Sequence, residues 1–245
     1  MPKLGVNIDH VATLRQARRE QDPDPILAAC ICEQAGAHSI VAHVREDRRH
    51  MQDRDILILH KTIKTRFNLE MSLRPDIVDI ACAVKPQQAT IVPEGRLEIT
   101  TEGGLDVVRH RGRLKKVCGQ LQKNAITVSL FIAADTKQIE AAHDLGIRVI
   151  ELHTGAYARA CVKRDGAGEL KKISTVCAFA RKLGMTVNAG HGLNYSNVRP
   201  IARIEGMEEL NIGHSIISRA VFTGLEAAVK EMLGLLSSSF VQRGG

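Results

Sequence analysis

Eight apolar runs of strand length, LGVNI, SIVAHV, RFNLEM, ATIV, ITVSLFI, RVIEL, TVNAG and ELNIG, recur along the chain. Each is followed by a polar or glycine-bearing junction and then by a longer stretch with helical spacing. The helical stretches are residues 25–35, 53–64, 75–84, 113–123, 136–145, 170–183, 197–203 and 224–235. Several open on Asp, Thr, Pro or Asn, the residue types that cap or start helices. Strict alternation of this kind calls for a parallel sheet with helical crossovers. Eight units with no linker between them predict closure into a single α/β domain, a (β/α)8 barrel of the TIM type spanning residues 1–245. The 245-residue length matches that architecture. Residues 11–19 (VATLRQARR) are surplus to the simplest unit and predict an extra helical segment after strand one. The C-terminal residues 237–245 read as a flexible tail.

Aromatic residues make up 3% of the chain and tryptophan is absent, so Ile, Leu, Val and Ala must fill the core. The same scarcity argues against a surface that stacks nucleobases. A formal net charge of +7 with a sequence pI near 9.2 raises nucleic acid as a partner. The basic residues are interleaved with Asp and Glu, however, even in the densest run, REDRRH at 45–50, so small anionic substrates are the better expectation. There is no cationic segment leading into an apolar run with a cleavage site, and no stretch of membrane-spanning length, so a cytoplasmic protein without membrane contact is expected. Six cysteines with no C-x-x-C pair read as reduced, small apolar side chains.

Polar residues gather where the strands end. Asn7 and Asp9, His43 and Arg45, and Glu151 and His153 stand two apart and so share a face. Glu70 ends strand three, and His191 and His214 follow strands seven and eight. Any one such residue is ordinarily a solvated or salt-bridged surface group; together they predict a site on the face where barrels assemble their chemistry. His and a partly desolvated Glu suit proton transfer near neutrality. Gly190, Gly192 and Gly213 permit close backbone approach beside a helix that starts near His214, a phosphate cradle in this fold, with Arg18, Arg45 and His50 as further cationic contacts. For Arg48 and Arg49, substrate contact and a solvated face are equally open. The polar segment 93–105 (PEGRLEITTEGGL) reads as a lid or as a passive loop.

The strings GVNIDHVATLRQAR, HVREDRRH, NLEM, TTEGGLD, ELHTGAYA, NAGHGLNY and ELNIGHSII, in this order, resemble the pyridoxine 5'-phosphate synthase family of the vitamin B6 pathway. The resemblance runs from Gly5 to about Leu235. It implies condensation of 3-amino-2-oxopropyl phosphate with 1-deoxy-D-xylulose 5-phosphate to give pyridoxine 5'-phosphate, phosphate and water, with neither metal nor organic cofactor. It also implies His43 and Glu70 as proton acceptors, His191 as a proton donor and Glu151 as a transition-state stabiliser. Asn7, Arg18, Gly192, Gly213 and His214 are implied on the amino-ketone phosphate, and Asp9, Arg45, His50 and Thr100 on the deoxyxylulose phosphate. A homo-octamer, a tetramer of dimers, is implied in the same way. Residues 160–169 (ACVKRDGAGE) are more basic and glycine-rich than the resemblance leads one to expect, which bears only on that loop.

Two other readings follow from the residues. A metal-dependent barrel aldolase or epimerase acting on a sugar phosphate would use His43, His153, His191 and His214 with a carboxylate as ligands, although no compact spacing such as H-E-x-x-H supports it. A nucleic-acid-binding protein would rest on the pI alone and leaves the polar strand ends unexplained.

Overall fold

The computed structural model describes residues 1–94 and 103–238. Its eight strands are β1 (Lys3–Asn7), β2 (Ser39–Val44), β3 (Arg66–Met71), β4 (Gln88–Ile91), β5 (Thr127–Ile132), β6 (Val149–His153), β7 (Thr186–Gly190) and β8 (Met207–Ile212). All neighbours pair in parallel and β8 returns to β1, closing the predicted barrel. The crossover helices are α2 (Pro25–Gln34), α3 (Asp53–Thr62), α4 (Pro75–Val84), α5 (Arg111–Lys123), α6 (Thr136–Asp144), α8 (Ala167–Lys182), α9 (Val198–Ala202) and α11 (Leu225–Ser238). Three more stand outside the simple alternation: α1 (Asp9–Arg18), α7 (Gly155–Val162) and α10 (His214–Thr223). The extra segment after β1 is therefore helical as predicted, whereas α7 was not foreseen. Helix α11 runs to Ser238, so its last two residues occupy the start of the expected tail; residues 239–245 lie outside the described residues.

Local chemistry sets these boundaries. The Asp24 side chain accepts the Ile26 amide hydrogen with Pro25 in the first turn of α2, and Asp135 accepts that of Lys137 to open α6. Asp55 reaches back to the Gln52 amide at 2.9 Å to start α3. Arg15 of α1 in turn forks onto Asp55 at 2.7 and 2.8 Å and donates to the His50 carbonyl, tying α1 to the loop after β2.

The strands separate two environments. One set of alternate side chains, including Leu4, Val6, Ile40, Leu69, Ile91, Leu130, Ile150 and Leu210, joins the helices in one continuous aliphatic core. The opposite set faces the barrel axis and is mostly polar: Ser39, Asn68, Gln88, Thr90, Ser129, Asn188, Glu209 and Asn211 are all buried. The expectation of an Ile, Leu, Val and Ala core thus holds for the outer layer and not for the inner one, where this fold ordinarily packs branched aliphatics. Inside, the Thr90 hydroxyl donates to Asn68 Oδ1 at 2.8 Å, and at the N-terminal end of the strands Arg66 pairs with the fully buried Glu209.

Candidate active site

At the C-terminal ends of the strands a cavity of about 730 Å³ opens, a volume suited to two small phosphorylated molecules. Parallel register places its central groups. His43 on β2 and Glu70 on β3 are register partners, so both side chains point to the same side, with Nδ1 3.9 Å from Oε2. The His43 amide donates to Asp9 Oδ1 at 2.7 Å, and Asp9 Oδ2 accepts from Asn7 Nδ2 at 2.8 Å. Across the barrel, Asn211 Nδ2 donates to Glu151 Oε2 at 2.7 Å. Gly190 lies beside that pair, and a Cβ there would collide with Glu151 Oε1.

The turn after β7 is held in an uncommon conformation. His191 has φ 76° and Gly192 φ 81°, and the Thr154 hydroxyl lies 2.7 Å from the Gly190 carbonyl oxygen and 2.6 Å from that of His191. A left-handed non-glycine residue stores strain that its surroundings must hold in place. Here it sets the His191 ring 4.8 Å from that of His153, which in turn makes a T-shaped contact with Phe131. Helix α10 opens at His214 with Gly213 before it and no side-chain cap, so its first-turn amides border the cavity, an arrangement suited to an anion.

Burial tunes the ionisable groups. Burial, then the charges of Glu151 and Asp9, push the Glu70 carboxyl well above its ordinary range. Burial raises Glu151 to about 7, with the Asn211 hydrogen bond acting downward and Glu209 upward. Asp9 is raised by burial, against the nearby His43 and its hydrogen bonds. Burial, then the neighbouring His43 and Arg45, push His50 down to about 4. His191 is lowered by burial and then by Arg159. The cavity thus joins proton-holding carboxyls with imidazoles that give up protons readily, an arrangement suited to repeated proton transfer.

Of the residues singled out from sequence, His43, Glu70, Glu151, His191, Asn7, Asp9, Arg45, His50, Gly192, Gly213 and His214 all line this one cavity. Arg18 does not. It ends α1, whose rise carries it roughly 13 Å from Asp9, and its exposed side chain lies 3.8 Å from Glu20. Thr100 and most of the lid candidate lie outside the described residues. Arg48 and Arg49 pair with Asp53 and Asp47 and do not line the cavity. His10, Glu94 and Asn211 line or border the site without having been predicted, and His153, a strand-end residue given a role only in the metal-dependent reading, lines it too. Asn211 was discoverable: it stands two before Gly213, on the inward face.

The histidines of the metal-dependent reading do not converge. Among the described residues, the one group whose donor atoms all lie within 4.8 Å of one another is Asp9, His43 and His50, without His153, His191 or His214. Both oxygens of Asp9 and Nε2 of His43 hold protein hydrogen bonds. All six cysteines are free thiols, and among the described residues no helix is long and apolar enough to cross a membrane.

Comparison with known proteins shows the family. The family model described as pyridoxal phosphate biosynthesis protein PdxJ matches residues 4–238. The chain is 58% identical to the pyridoxine 5'-phosphate synthase of a Synechococcus species over 95% of its length and 97% of the relative's. It is 55% identical to that of Geotalea daltonii over 98% of the chain and 100% of the relative, and 54% identical to that of a Synechocystis species over the same shares. Among solved structures, KGPDC from Streptococcus mutans superposes with a TM-score of 0.67 at 12% identity, covering 97% of this chain and 98% of that one. Monomers of phosphoribosylanthranilate isomerase from Thermotoga maritima superpose with a TM-score of 0.62 at 12% identity, covering 97% and 100%. These distant structures show the barrel fold alone. By the match of nearly its whole length, the chain belongs to the PdxJ family of pyridoxal phosphate biosynthesis proteins.

Proposed function

We propose that the chain condenses 3-amino-2-oxopropyl phosphate with 1-deoxy-D-xylulose 5-phosphate to form pyridoxine 5'-phosphate, with release of phosphate and water. The observation that carries this reading is the gathering of His43, Glu70, Glu151 and His191 in one cavity bordered by two polar regions, which we assign to the two substrate phosphates. Asn7, Gly192, Gly213 and His214 form one region beside the start of α10, and Asp9, Arg45 and His50 the other. Arg18 and Thr100 are assigned to substrate phosphates by resemblance alone.

Imine formation, dehydration, phosphate loss and ring closure move protons repeatedly between neighbouring atoms, which several positioned groups serve better than one. Glu70, with its raised pKa, is a stronger base once ionised than an exposed carboxylate and takes substrate protons together with His43. An approaching phosphate raises the pKa of His191 and His50, loading His191 as a donor and making His50 a cation. Ionised Glu151 stabilises positive charge on the protonated imine. The enzyme works in the cytoplasm on free phosphorylated substrates, without nucleic acid or membrane, and assembles as a homo-octamer, which light scattering tests.

Purified protein given both substrates is expected to release phosphate and form pyridoxine 5'-phosphate; no product above background overturns the reading. Glu70→Gln is expected to keep substrate binding and lose turnover by about 100-fold or more, the scale of a positioned base. Unchanged turnover would remove Glu70 from the mechanism.

A further inference from the structure

The Glu94 carboxylate, just beyond β4, makes contacts that assign a hydrogen on its neighbour. Its Oε1 lies 2.9 Å from His43 Nε2. Its Oε2 accepts the Glu46 amide hydrogen at 3.1 Å and faces Arg45 Nη2 at 3.5 Å. A carboxyl beside a guanidinium and accepting a main-chain amide is ionised and offers only acceptor oxygens. The hydrogen between the two residues therefore sits on Nε2. Burial alone would raise the Glu94 carboxyl, but the hydrogen bond to His43, the Glu46 amide and Arg45 hold it below its ordinary value.

From this geometry we infer that Glu94 is a positioning residue that locks His43 into the tautomer carrying its hydrogen on Nε2, leaving the Nδ1 lone pair as the proton-accepting atom beside Glu70. The imidazole is held from two sides, its backbone by Asp9 Oδ1 and its ring by Glu94 Oε1. Nδ1 and Glu70 Oε2, 3.9 Å apart, are too distant to satisfy each other and so flank one reacting position. In the step this supports, a substrate X–H bond breaks, its electron pair stays on X, and the proton forms a new bond to Nδ1. The imidazolium so made is neutralised by the Glu94 carboxylate. A carboxylate that orients a histidine in this way selects the tautomer and stabilises the cation without touching substrate.

The inference rests on His43 being a proton acceptor in the proposed condensation, and two measurements keep the claims apart. Full-length protein labelled with ¹⁵N-histidine, with His43→Gln used to identify the His43 signals, is expected to show a protonated Nε2 and an unprotonated Nδ1 in the neutral ring. Nε2 found unprotonated there overturns the tautomer assignment, and because this spectrum needs no variant at position 94 it decides whatever the folding of Glu94→Gln. In Glu94→Gln the tautomer signature is expected to shift toward a mixture, and kcat for the two-substrate reaction to fall about 10- to 100-fold with KM within about threefold. A fall confined to KM, or wild-type turnover, overturns the positioning role. No product from the unsubstituted protein would strike the condensation itself and leave the tautomer result standing.

Discussion

Two buried carboxyls facing one cavity make the chain's stability depend on pH in a direction that can be worked out. Glu151 has an ordinary pKa of 4.5 and is raised to about 7 by burial. Folding therefore favours its protonated form; the contribution is fully present below 4.5 and is lost as pH rises through about 7. Glu151→Gln, which cannot ionise, is expected to be more stable than the wild type by about 2–3 kcal/mol near pH 8. The two should converge near pH 4, and denaturant midpoints at both values check the sign. The same substitution is expected to lower turnover, so the site holds its carboxylate at the expense of the fold. At this scale the strand-end residues were legible in sequence because period-two spacing in a known barrel face places them. Glu94 was not, because its meaning comes from His43, 51 positions away. Asn211 meets Glu151 across 60 positions, yet its face was readable from Gly213. Arg18 entered by resemblance, and the length of α1 takes it away from its own chain's cavity.

Among the elements, β6 and β7 are fitted to each other by the absence of a side chain. Gly190 leaves room for Glu151 Oε1, so Gly190→Ala is expected to displace that carboxylate or spread the strands. An overpacking cost of about 1–3 kcal/mol should accompany a kcat loss of at least about tenfold, read by melting and turnover. The strands were predicted nearly to the residue, since buried parallel strands are short apolar runs with few alternatives. Helix α4 was found at its predicted bounds, Pro75–Val84, because proline fixes its first turn. Helix α7 escaped notice for a physical reason: the hydroxyl of Thr154, at its N-cap position, does not cap it but turns to the Gly190 and His191 carbonyls. The residue that would have signalled a helix start is engaged in holding the neighbouring turn.

For the molecule as a whole, the inner layer is the departure from composition. A chain with 44% hydrophobic residues and no tryptophan leads one to expect apolar packing throughout, yet the barrel axis is lined by Asn, Gln, Ser, Thr and Glu. At its N-terminal end Glu209 is fully buried and its carboxyl is raised by burial despite the charge of Arg66. Arg66→Met would leave that carboxylate without its counter-charge and is expected to cost about 2–3 kcal/mol near pH 8, below the figure for a fully buried pair because Arg66 is partly exposed. The cost should shrink as pH falls and Glu209 takes up a proton; a loss that stays the same down the pH series would contradict the pairing. The division between an aliphatic outer cylinder and a polar bore also separates two kinds of change. Libraries that vary the cavity-facing residues at the C-terminal mouth of the bore, leaving its buried pairs and Gly190 intact, should yield mostly folded proteins with altered chemistry, whereas the same number of changes on the outer faces of the strands should yield few that fold. New substrate preferences are therefore accessible from the mouth of the ring of strands, where side chains face the cavity and not the aliphatic core.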